Sequence, residues 1–258
     1  MTSPDAAFAE ELAVSAAAVL ADLRRTSDLE GRELKDAGDA ASQRYIAGRL
    51  ASGRPDDAVL SEEAADSAAR LSADRVWIID PLDGTREFSE HRDDWAVHVA
   101  LWERGAGLTA GAVASPGVVH GTGSPAGADH DASAVLDGSR PLRLAVSRSR
   151  PPALVAELVG RLGAETVPMG SAGVKTMAVV DGVVDAYVHG GGQYEWDSAA
   201  PVVVAWAVGL HTSRLDGRPL EYNRENPWLP DLVVCPPALA RVLLDAIAAI
   251  EKKEEPGR

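Results

Sequence analysis

The chain has 258 residues and a formal net charge of −14, and 46% of its residues are hydrophobic. This charge argues against a nucleic-acid polymer or an anionic membrane as a partner, because both carry dense negative charge. Cys235 is the only cysteine, which excludes disulfides within the chain and zinc–thiolate clusters. The first 25 residues lack the basic segment of a secretory signal, and no apolar run approaches membrane-spanning length, so we expect a cytoplasmic protein.

The N-terminal half predicts helices followed by strands. Apolar residues at helical intervals indicate a helix over residues 5–25, and a second helix is predicted to start near Asp39. A short strand over residues 57–60 is predicted to end at Ser61-Glu62-Glu63. Residues 95–120 alternate strand patterns with a Gly turn and a Pro-Gly turn, which is typical of an antiparallel meander.

Residues 123–141 are the predicted boundary between two lobes, because they are rich in Gly, Ser, Asp and Pro and show little periodicity. We therefore expect an N-terminal α+β lobe over residues 1–141 and a C-terminal α/β lobe over residues 142–258. Strands and helices alternate in the second lobe, as in α/β proteins, and its charged tail at 251–258 is expected to fray. Its predicted strands lie at 142–146, 184–188 and 232–234, and its predicted helices at 152–162, 174–180, 197–208 and 237–250.

The segment Trp77-Ile78-Ile79-Asp80-Pro81-Leu82-Asp83-Gly84-Thr85 carries most of the functional information. Residues 76–79 indicate a buried strand that ends in two carboxylates. Pro81 between them is expected to turn the chain sharply, so that both converge on one point. The backbone N–H groups of Gly84 and Thr85 are then candidates for binding an anion. Carboxylate oxygens attract Mg²⁺ and free N–H groups attract phosphate, so the segment predicts metal-assisted phosphate hydrolysis.

Two other interpretations of this segment are weaker. Haloacid-dehalogenase phosphatases have two aspartates separated by one residue, whereas Pro81 and Leu82 both stand between Asp80 and Asp83. Asp-Pro and Asp-Gly pairs are also common turn formers. Turn aspartates alone, however, require neither a strand before them nor Gly-Thr after them.

Further acidic positions are candidates, although each has a more ordinary interpretation. Glu62 and Glu63 directly follow a predicted strand, but a surface Glu pair is usually only solvated. Asp197 precedes an apolar helix and Asp39 stands at the predicted start of the second helix, so both fit plain helix N-caps. An N-cap aspartate can still present its outer oxygen to a metal while the helix dipole favours its charge.

With these positions in order, the chain resembles the inositol monophosphatase-like family of Mg²⁺-dependent, lithium-sensitive phosphatases. The resemblance covers nearly the whole chain, and its central motif is highly specific. It implies a layered αβαβα sandwich. The segments that carry the resemblance are G-D-A-A-S-Q at 38–43, S-E-E at 61–63, W-I-I-D-P-L-D-G-T at 77–85, G-S-A-G-V-K at 170–175 and W-D-S-A-A at 196–200.

The resemblance also implies a set of metal ligands. Four carboxylates and one backbone carbonyl match the family's ligand positions, and we expect them to hold two or three Mg²⁺ ions, with Mn²⁺ able to substitute. The loop before Gly38 is shorter than is usual in the family, so either Asp36 helps to hold a third ion or that ion binds more weakly. The matched carboxylates are Glu62, Asp80, Asp83 and Asp197, and the matched carbonyl is that of Leu82.

Asp39 and Thr85 match the family's pair that orients and deprotonates the attacking water, with Asp39 accepting a hydrogen bond from the Thr85 hydroxyl. No covalent phosphoenzyme is then required. Members of the family are often homodimers, so a homodimer is a further expectation. An inactive, metal-binding regulator is the alternative, but such proteins typically lose a ligand, and every matched ligand is intact here.

Several segments resemble the 3′-phosphoadenosine 5′-phosphate (PAP) phosphatases, the CysQ group of the family. They are V-S-R-S at 146–149, the Gly-Ser of 170–171 followed by Lys175 with one residue inserted, and Y-N-R-E at 222–225. The resemblance implies removal of the 3′-phosphate of PAP to leave AMP, a reaction of sulfur assimilation.

PAP would need cations for its second phosphate and a surface for its base. Arg148 and Lys175 are the candidate cations, Ser171 and the Gly84–Thr85 backbone are further candidate substrate contacts, and Tyr194 or Trp196 can stack on the base.

Simple sugar phosphates are the alternative substrates. Relatives in the family cleave inositol monophosphate or fructose 1,6-bisphosphate, sometimes with one enzyme accepting several. His189-Gly190-Gly191-Gly192-Gln193 lies where those relatives build the rim of the substrate site. Three glycines predict an open segment there, which suits mixed substrates.

Overall fold

The first of two five-stranded sheets lies in the N-terminal half of the computed structural model, which describes residues 3–149 and 151–254. Its first two strands are parallel and all later neighbours are antiparallel. The predicted meander is therefore confirmed. In their spatial order, the strands are β1 (Ala58–Ser61), β2 (Arg75–Asp83), β3 (Ala96–Glu103), β4 (Gly107–Ser115) and β5 (Val118–Gly121).

The second sheet lies in the C-terminal half. Its strands are β6 (Arg143–Ser147), β7 (Glu165–Met169), β8 (Ala186–Tyr194), β9 (His211–Ser213) and β10 (Trp228–Cys235). The spatial order is β7-β6-β8-β10-β9. Strand β6 is parallel to β7 and β8, whereas β10 is antiparallel to β8 and β9.

Helices separate and cover the two sheets. None of those in the described residues is long and apolar enough to cross a membrane. A short 3₁₀ helix covers Ala68–Ser72, and the α-helices are α1 (Pro4–Thr26), α2 (Gly31–Gly53), α3 (Thr85–Ser89), α4 (Ser133–Leu136), α5 (Ala153–Leu162), α6 (Ala172–Val180), α7 (Glu195–Ala207) and α8 (Pro237–Glu254).

Alternation along β2 shows how the layers form. Trp77 and Ile79 point to one face and pack in a core with α1 and α2. Val76 and Ile78 point to the other face and pack in a central core with α6, α7 and residues of the second sheet. The far face of the second sheet packs against α5 and α8. The predicted αβαβα sandwich is therefore confirmed, while the division into lobes at residue 141 stays a prediction.

Three predicted helix boundaries are wrong. Helix α2 begins at Gly31 rather than near Asp39, and its cap, Glu30, makes no side-chain capping hydrogen bond. Asp39 is therefore buried in the middle of a helix and is not an N-cap. Helix α7 begins at Glu195, so Asp197 is its third residue. Helix α8 continues to Glu254, so part of the tail expected to fray is helical, and residues 255–258 lie outside the described residues.

The sharp turn expected at Pro81 is also wrong. Strand β2 continues through Pro81 to Asp83, and the pairing with β3 shifts register between Asp80 and Asp83. A residue without an N–H is tolerated where the ladder is interrupted. The register shift therefore brings Asp80 and Asp83 together without a turn.

Candidate active site

The acidic residues of three separate segments meet at one end of the first sheet. Parallel pairing places Ser61 beside Ile79, so Glu62 follows its strand next to Asp80, and the Glu62 N–H donates to the Ile79 carbonyl at 3.3 Å. Helix α7 adds Asp197. Asp80, Asp83 and Asp197 each offer a carboxylate oxygen, and these three oxygens lie within 4.8 Å of one another.

Asp80 and Asp197 are each held by one oxygen only. Asp80 Oδ1 accepts a hydrogen bond from the Leu82 N–H at 3.0 Å, whereas its Oδ2 is buried and has no hydrogen-bond partner among the described residues. Asp197 Oδ2 accepts from the Tyr194 N–H at 2.6 Å, across the first turn of α7. Unpaired buried oxygens are rare in folded proteins, so Asp80 is arranged to use its second oxygen elsewhere, and Asp197 also keeps one oxygen outside its capping bond.

Asp83 follows the same pattern, with more donors on one oxygen. Its Oδ2 accepts from the Ser171 hydroxyl and from the Gly173 N–H, the latter at 2.8 Å. His98 Nε2 lies 3.3 Å from the same oxygen, and His98 Nδ1 lies 3.1 Å from the Trp196 carbonyl. These three contacts of Asp83 all use its Oδ2. His98 links strand β2 to the turn of α7 that carries Asp197.

Burial and mutual repulsion set the protonation of the cluster. Burial, followed by the charges of the neighbouring carboxylates, raises the pKa of Asp80 well above its ordinary value. The same two causes raise the pKa of Glu62 to about 7 and that of Asp197 to about 6. Burial alone would also raise the pKa of Asp83, but the charge and contact of His98 hold it at about 2.

These residues fit a hard divalent cation. The oxygens that the protein leaves free are carboxylate oxygens, which are the preferred ligands of Mg²⁺ and Ca²⁺. Four carboxylates brought close together repel one another unless a cation lies between them, and His98 and Lys175 offset only part of that charge. The fold and this donor set together define a layered α/β protein with a divalent-metal site.

Asp39 and Thr85 flank the cluster. Asp39 is buried on α2, and this burial, followed by the charge of Glu63, raises its pKa to about 7. Thr85 is the first residue of α3, behind Gly84 at φ 86°. A Cβ on Gly84 would lie 3.1 Å from the Asp94 carbonyl oxygen, so this turn requires glycine. Within the described residues no hydrogen bond joins Asp39 to Thr85, and their role as a pair stays a prediction.

The three predicted substrate side chains are already engaged with the protein. The Ser171 hydroxyl donates to Asp83 and accepts from the Val174 N–H. Lys175 is 5% exposed, and its Nζ donates to the Gly170 and Ser171 carbonyls. The guanidinium of Arg148, the predicted substrate cation, forms ion pairs with Glu87 at 2.9 Å and with Glu90 at 2.6 Å. Substrate contact by any of the three is a prediction.

Sequence reasoning missed His98, which lies directly opposite Asp80 in the β2–β3 pair. The available signal was a histidine inside the apolar run of β3, where a polar residue must find a partner. Its partners come from a distant helix, so the sequence could not name them.

A second missed feature is the anchoring of α7. The Glu195 carboxylate accepts hydrogen bonds from the Asn223 and Arg224 N–H groups at 2.6 and 2.8 Å. The buried guanidinium of Arg70 donates to Asn223 Oδ1 at 2.7 Å and to the Arg224 carbonyl at 2.8 Å. The Y-N-R-E segment therefore clamps the start of the helix that carries Asp197. No local pattern in the sequence marks Arg70 for this role.

Comparison with known proteins places the chain. The model of the inositol monophosphatase family matches residues 1–252, and the chain belongs to this family. The 3′-phosphoadenosine 5′-phosphate phosphatase of Mycobacterium leprae (strain TN) is 49% identical over 257 residues, covering 95% of this chain and 94% of that protein. The protein of the same description from Mycobacterium bovis (strain ATCC BAA-935 / AF2122/97) is 54% identical over 224 residues, covering 83% and 82%.

Solved structures confirm the fold. Inositol monophosphatase II from Staphylococcus aureus MSSA476 superposes with a TM-score of 0.76, at 22% identity and covering 93% of each chain. At this level of identity the match supports the fold alone. The function is inferred from the more similar sequences and from the site.

Proposed function

We propose that this protein is a phosphatase that removes the 3′-phosphate of PAP to give AMP and phosphate, with Mg²⁺ as its metal. Identity of 49–54% to PAP phosphatases over 83–95% of the chain carries this proposal. The intact carboxylate cluster supports it, because every acidic ligand position predicted from the sequence lies in or beside one acidic centre. In this proposal the residues of the site have two tasks, which are to hold the metal ions and to take a proton from the attacking water.

Asp80, Asp83 and Asp197 would hold the ions through the oxygens that the protein leaves free, with Glu62 and the Leu82 carbonyl completing the set. Bound Mg²⁺, as two or three ions with Mn²⁺ able to substitute, supplies Lewis acidity for phosphate oxygens and for the attacking water.

Asp39 is suited to take a proton. Its pKa of about 7 lies where a general base works best at neutral pH, and Thr85 at the start of α3 would relay the hydrogen bond from the water. Because Asp39 lies inside a long helix, its backbone is fixed before substrate arrives.

The second phosphate of PAP needs a positive charge in a chain of net charge −14. Lys175 has three ammonium hydrogens, and two of them are used by the carbonyls of Gly170 and Ser171. The third would serve the non-scissile phosphate. Arg148 is the weaker candidate, since Glu87 and Glu90 both bind it. A cytoplasmic location and a homodimeric state stay predictions.

A phosphate-release panel tests the proposal. PAP, inositol 1-phosphate and fructose 1,6-bisphosphate are compared at equal concentration with Mg²⁺, with Ca²⁺, with added Li⁺ and with EDTA. We expect PAP to have the highest kcat/KM, with loss of activity in EDTA or Ca²⁺ because Ca²⁺ prefers looser coordination, and inhibition by Li⁺ as in the family. A preference for either sugar phosphate would show that this compound, and not PAP, is the substrate. Full activity in EDTA would show that the reaction needs no divalent metal.

A further inference from the structure

Gln193 is a buried side chain with an unused amide. The residue is 8% exposed, and its side-chain oxygen and nitrogen both lack a hydrogen-bond partner among the described residues. Leaving a buried amide unpaired is costly, and an unpaired group in a folded protein calls for a specific reason. The chain's other glutamine, Gln43, shows the ordinary situation, because its Oε1 accepts from the Ser61 hydroxyl at 2.8 Å.

The backbone around Gln193 is shaped to direct this side chain. In the β8–β10 pair, Gln193 lies opposite Leu229 and Gly190 lies opposite Asp231, so β8 contains one extra residue. Such a bulge re-aims a side chain and is common beside active sites. Gly191 and Gly192 have φ of 102° and 93°, a conformation that favours glycine. These two glycines thus permit the bulge that precedes Gln193.

Gln193 is also next to the metal site. The following residue, Tyr194, donates its N–H to Asp197 Oδ2. The Tyr194 ring stacks on Trp196 with centroids 4.7 Å apart and is 45% exposed. Trp228, directly opposite Tyr194 in the sheet, is 47% exposed. Because neighbouring residues of a strand point to opposite faces, Gln193 lies on the other face of the sheet from these rings, together with Leu229. That face packs in the central core with helix α7, which carries Asp197.

We propose that Gln193 recognises the adenine base of the substrate, accepting a hydrogen bond from its amino group and donating one to its ring nitrogen N7. Adenine presents this donor and acceptor side by side, and a glutamine amide pairs with both at once. On the same edge hypoxanthine presents two acceptors, its carbonyl oxygen and N7, so the Gln193 amide could donate to only one of them and its oxygen would lose its bond. This inference rests on the proposed PAP phosphatase activity and adds the residue that selects the base.

The experiment compares kcat/KM for PAP and for 3′-phosphoinosine 5′-phosphate in the wild type and in Gln193→Met, which keeps the size of the side chain and removes its amide. A bidentate contact of this kind discriminates about ten- to a hundredfold, so the wild type should prefer PAP by that factor. In Gln193→Met the two substrates should fall within about threefold of each other. Gln193→Leu serves as a second variant.

Thermal melting without nucleotide and activity on inositol 1-phosphate separate recognition from a structural role. Because the amide is unpaired, Gln193→Met should melt no lower than the wild type, and any loss of activity on inositol 1-phosphate should be smaller than the loss on PAP. Gln43→Met is the matched control: it removes a paired amide, so it should lower the melting temperature and leave the preference for PAP intact.

Each other outcome counts against the inference. It is overturned if Gln193→Met keeps the wild-type preference, if it melts lower and loses activity equally on all substrates, or if the wild type does not discriminate between the two bases. In those cases the proposed PAP activity still stands. A wild type that cleaves inositol 1-phosphate but neither nucleotide would remove the proposed function and this inference together.

Discussion

Two buried acidic sites of this protein differ in how their negative charge is balanced. Asp185 is 7% exposed, and it accepts hydrogen bonds from Arg140 at 2.6 and 2.8 Å and from the Arg143 N–H at 2.8 Å. Burial would raise its pKa, but the two arginines hold it at about 2. Asp80 is more deeply buried, at 1% exposed, and it has carboxylates as neighbours and a pKa well above its ordinary value.

The difference separates a structural carboxylate from a ligand. The charge of Asp185 is balanced inside the protein, so its pairing contributes to the fold. The charges around Asp80 are only partly balanced by His98 and Lys175. The rest is neutralised by protons in the metal-free protein, as the raised pKa of Asp80 indicates, or by a bound cation. Substitutions in the two sites should therefore have opposite effects on activity and on stability.

The largest effect is expected in the metal cluster. Asp80→Asn, Asp83→Asn and Asp197→Asn should each lower kcat by about a hundredfold or more, because each removes a ligand charge. The metal-free Asp80→Asn protein should melt no lower than the wild type, since it relieves repulsion. Asp185→Asn is the control and should keep kcat within about threefold. Near-normal turnover in all three cluster variants would show that the metal site lies elsewhere.

Variants of Asp39 and Thr85 test whether these two residues act together to deprotonate the attacking water. Each single variant, Asp39→Asn and Thr85→Ala, should cause a large loss of kcat, and the double variant should be little worse than either single one. Such non-additivity is expected of residues that share one task. Losses that simply multiply in steady-state assays would show that the two residues act separately.

The candidate ligands could be named from the sequence because Asp80 and Asp83 share one motif, and because Glu62 and Asp197 match ligand positions of the family; their metal binding stays a prediction. Asp39 is a catalytic candidate whose role stays a prediction, and its predicted place at a helix start is wrong, since Glu30 provides no side-chain cap that would mark the beginning of α2. Strands β7 and β9 were missed because they are short, and β7 is largely exposed, so neither shows an apolar period. The roles of His98 and Gln193 depend on partners that are distant in sequence.

Lys175 sharpens the comparison, because it is a buried cation close to the metal cluster. Lys175→Met should reduce activity on every substrate by disturbing Gly170 and Ser171, and should cost a further ten- to hundredfold, roughly, in kcat/KM with PAP. The extra loss reflects the charge-assisted contact to the second phosphate. Equal losses of kcat/KM on PAP and inositol 1-phosphate would show that Lys175 does not bind the second phosphate.

The smallest effect is expected at Asp185. Its two arginines are 33% and 34% exposed. Solvent screening therefore limits the contribution of these ion pairs to the free energy of unfolding to about 1 kcal/mol, or roughly 2–4 °C in melting temperature. The folded-state pKa is lowered, so this stability is present above the ordinary pKa of 3.8 and is lost as pH falls toward 2. The melting difference between wild type and Asp185→Asn should therefore shrink below about pH 4, and a constant difference would contradict this assignment.

Calorimetric titration of Mg²⁺ into the metal-free protein tests the central claim most directly. The account predicts saturable binding to the wild type and to Asp185→Asn with similar affinity, and greatly weakened binding to Asp80→Asn. Equal binding by Asp80→Asn and the wild type, or lost binding in Asp185→Asn alone, would contradict the assignment of the uncompensated cluster as the metal site.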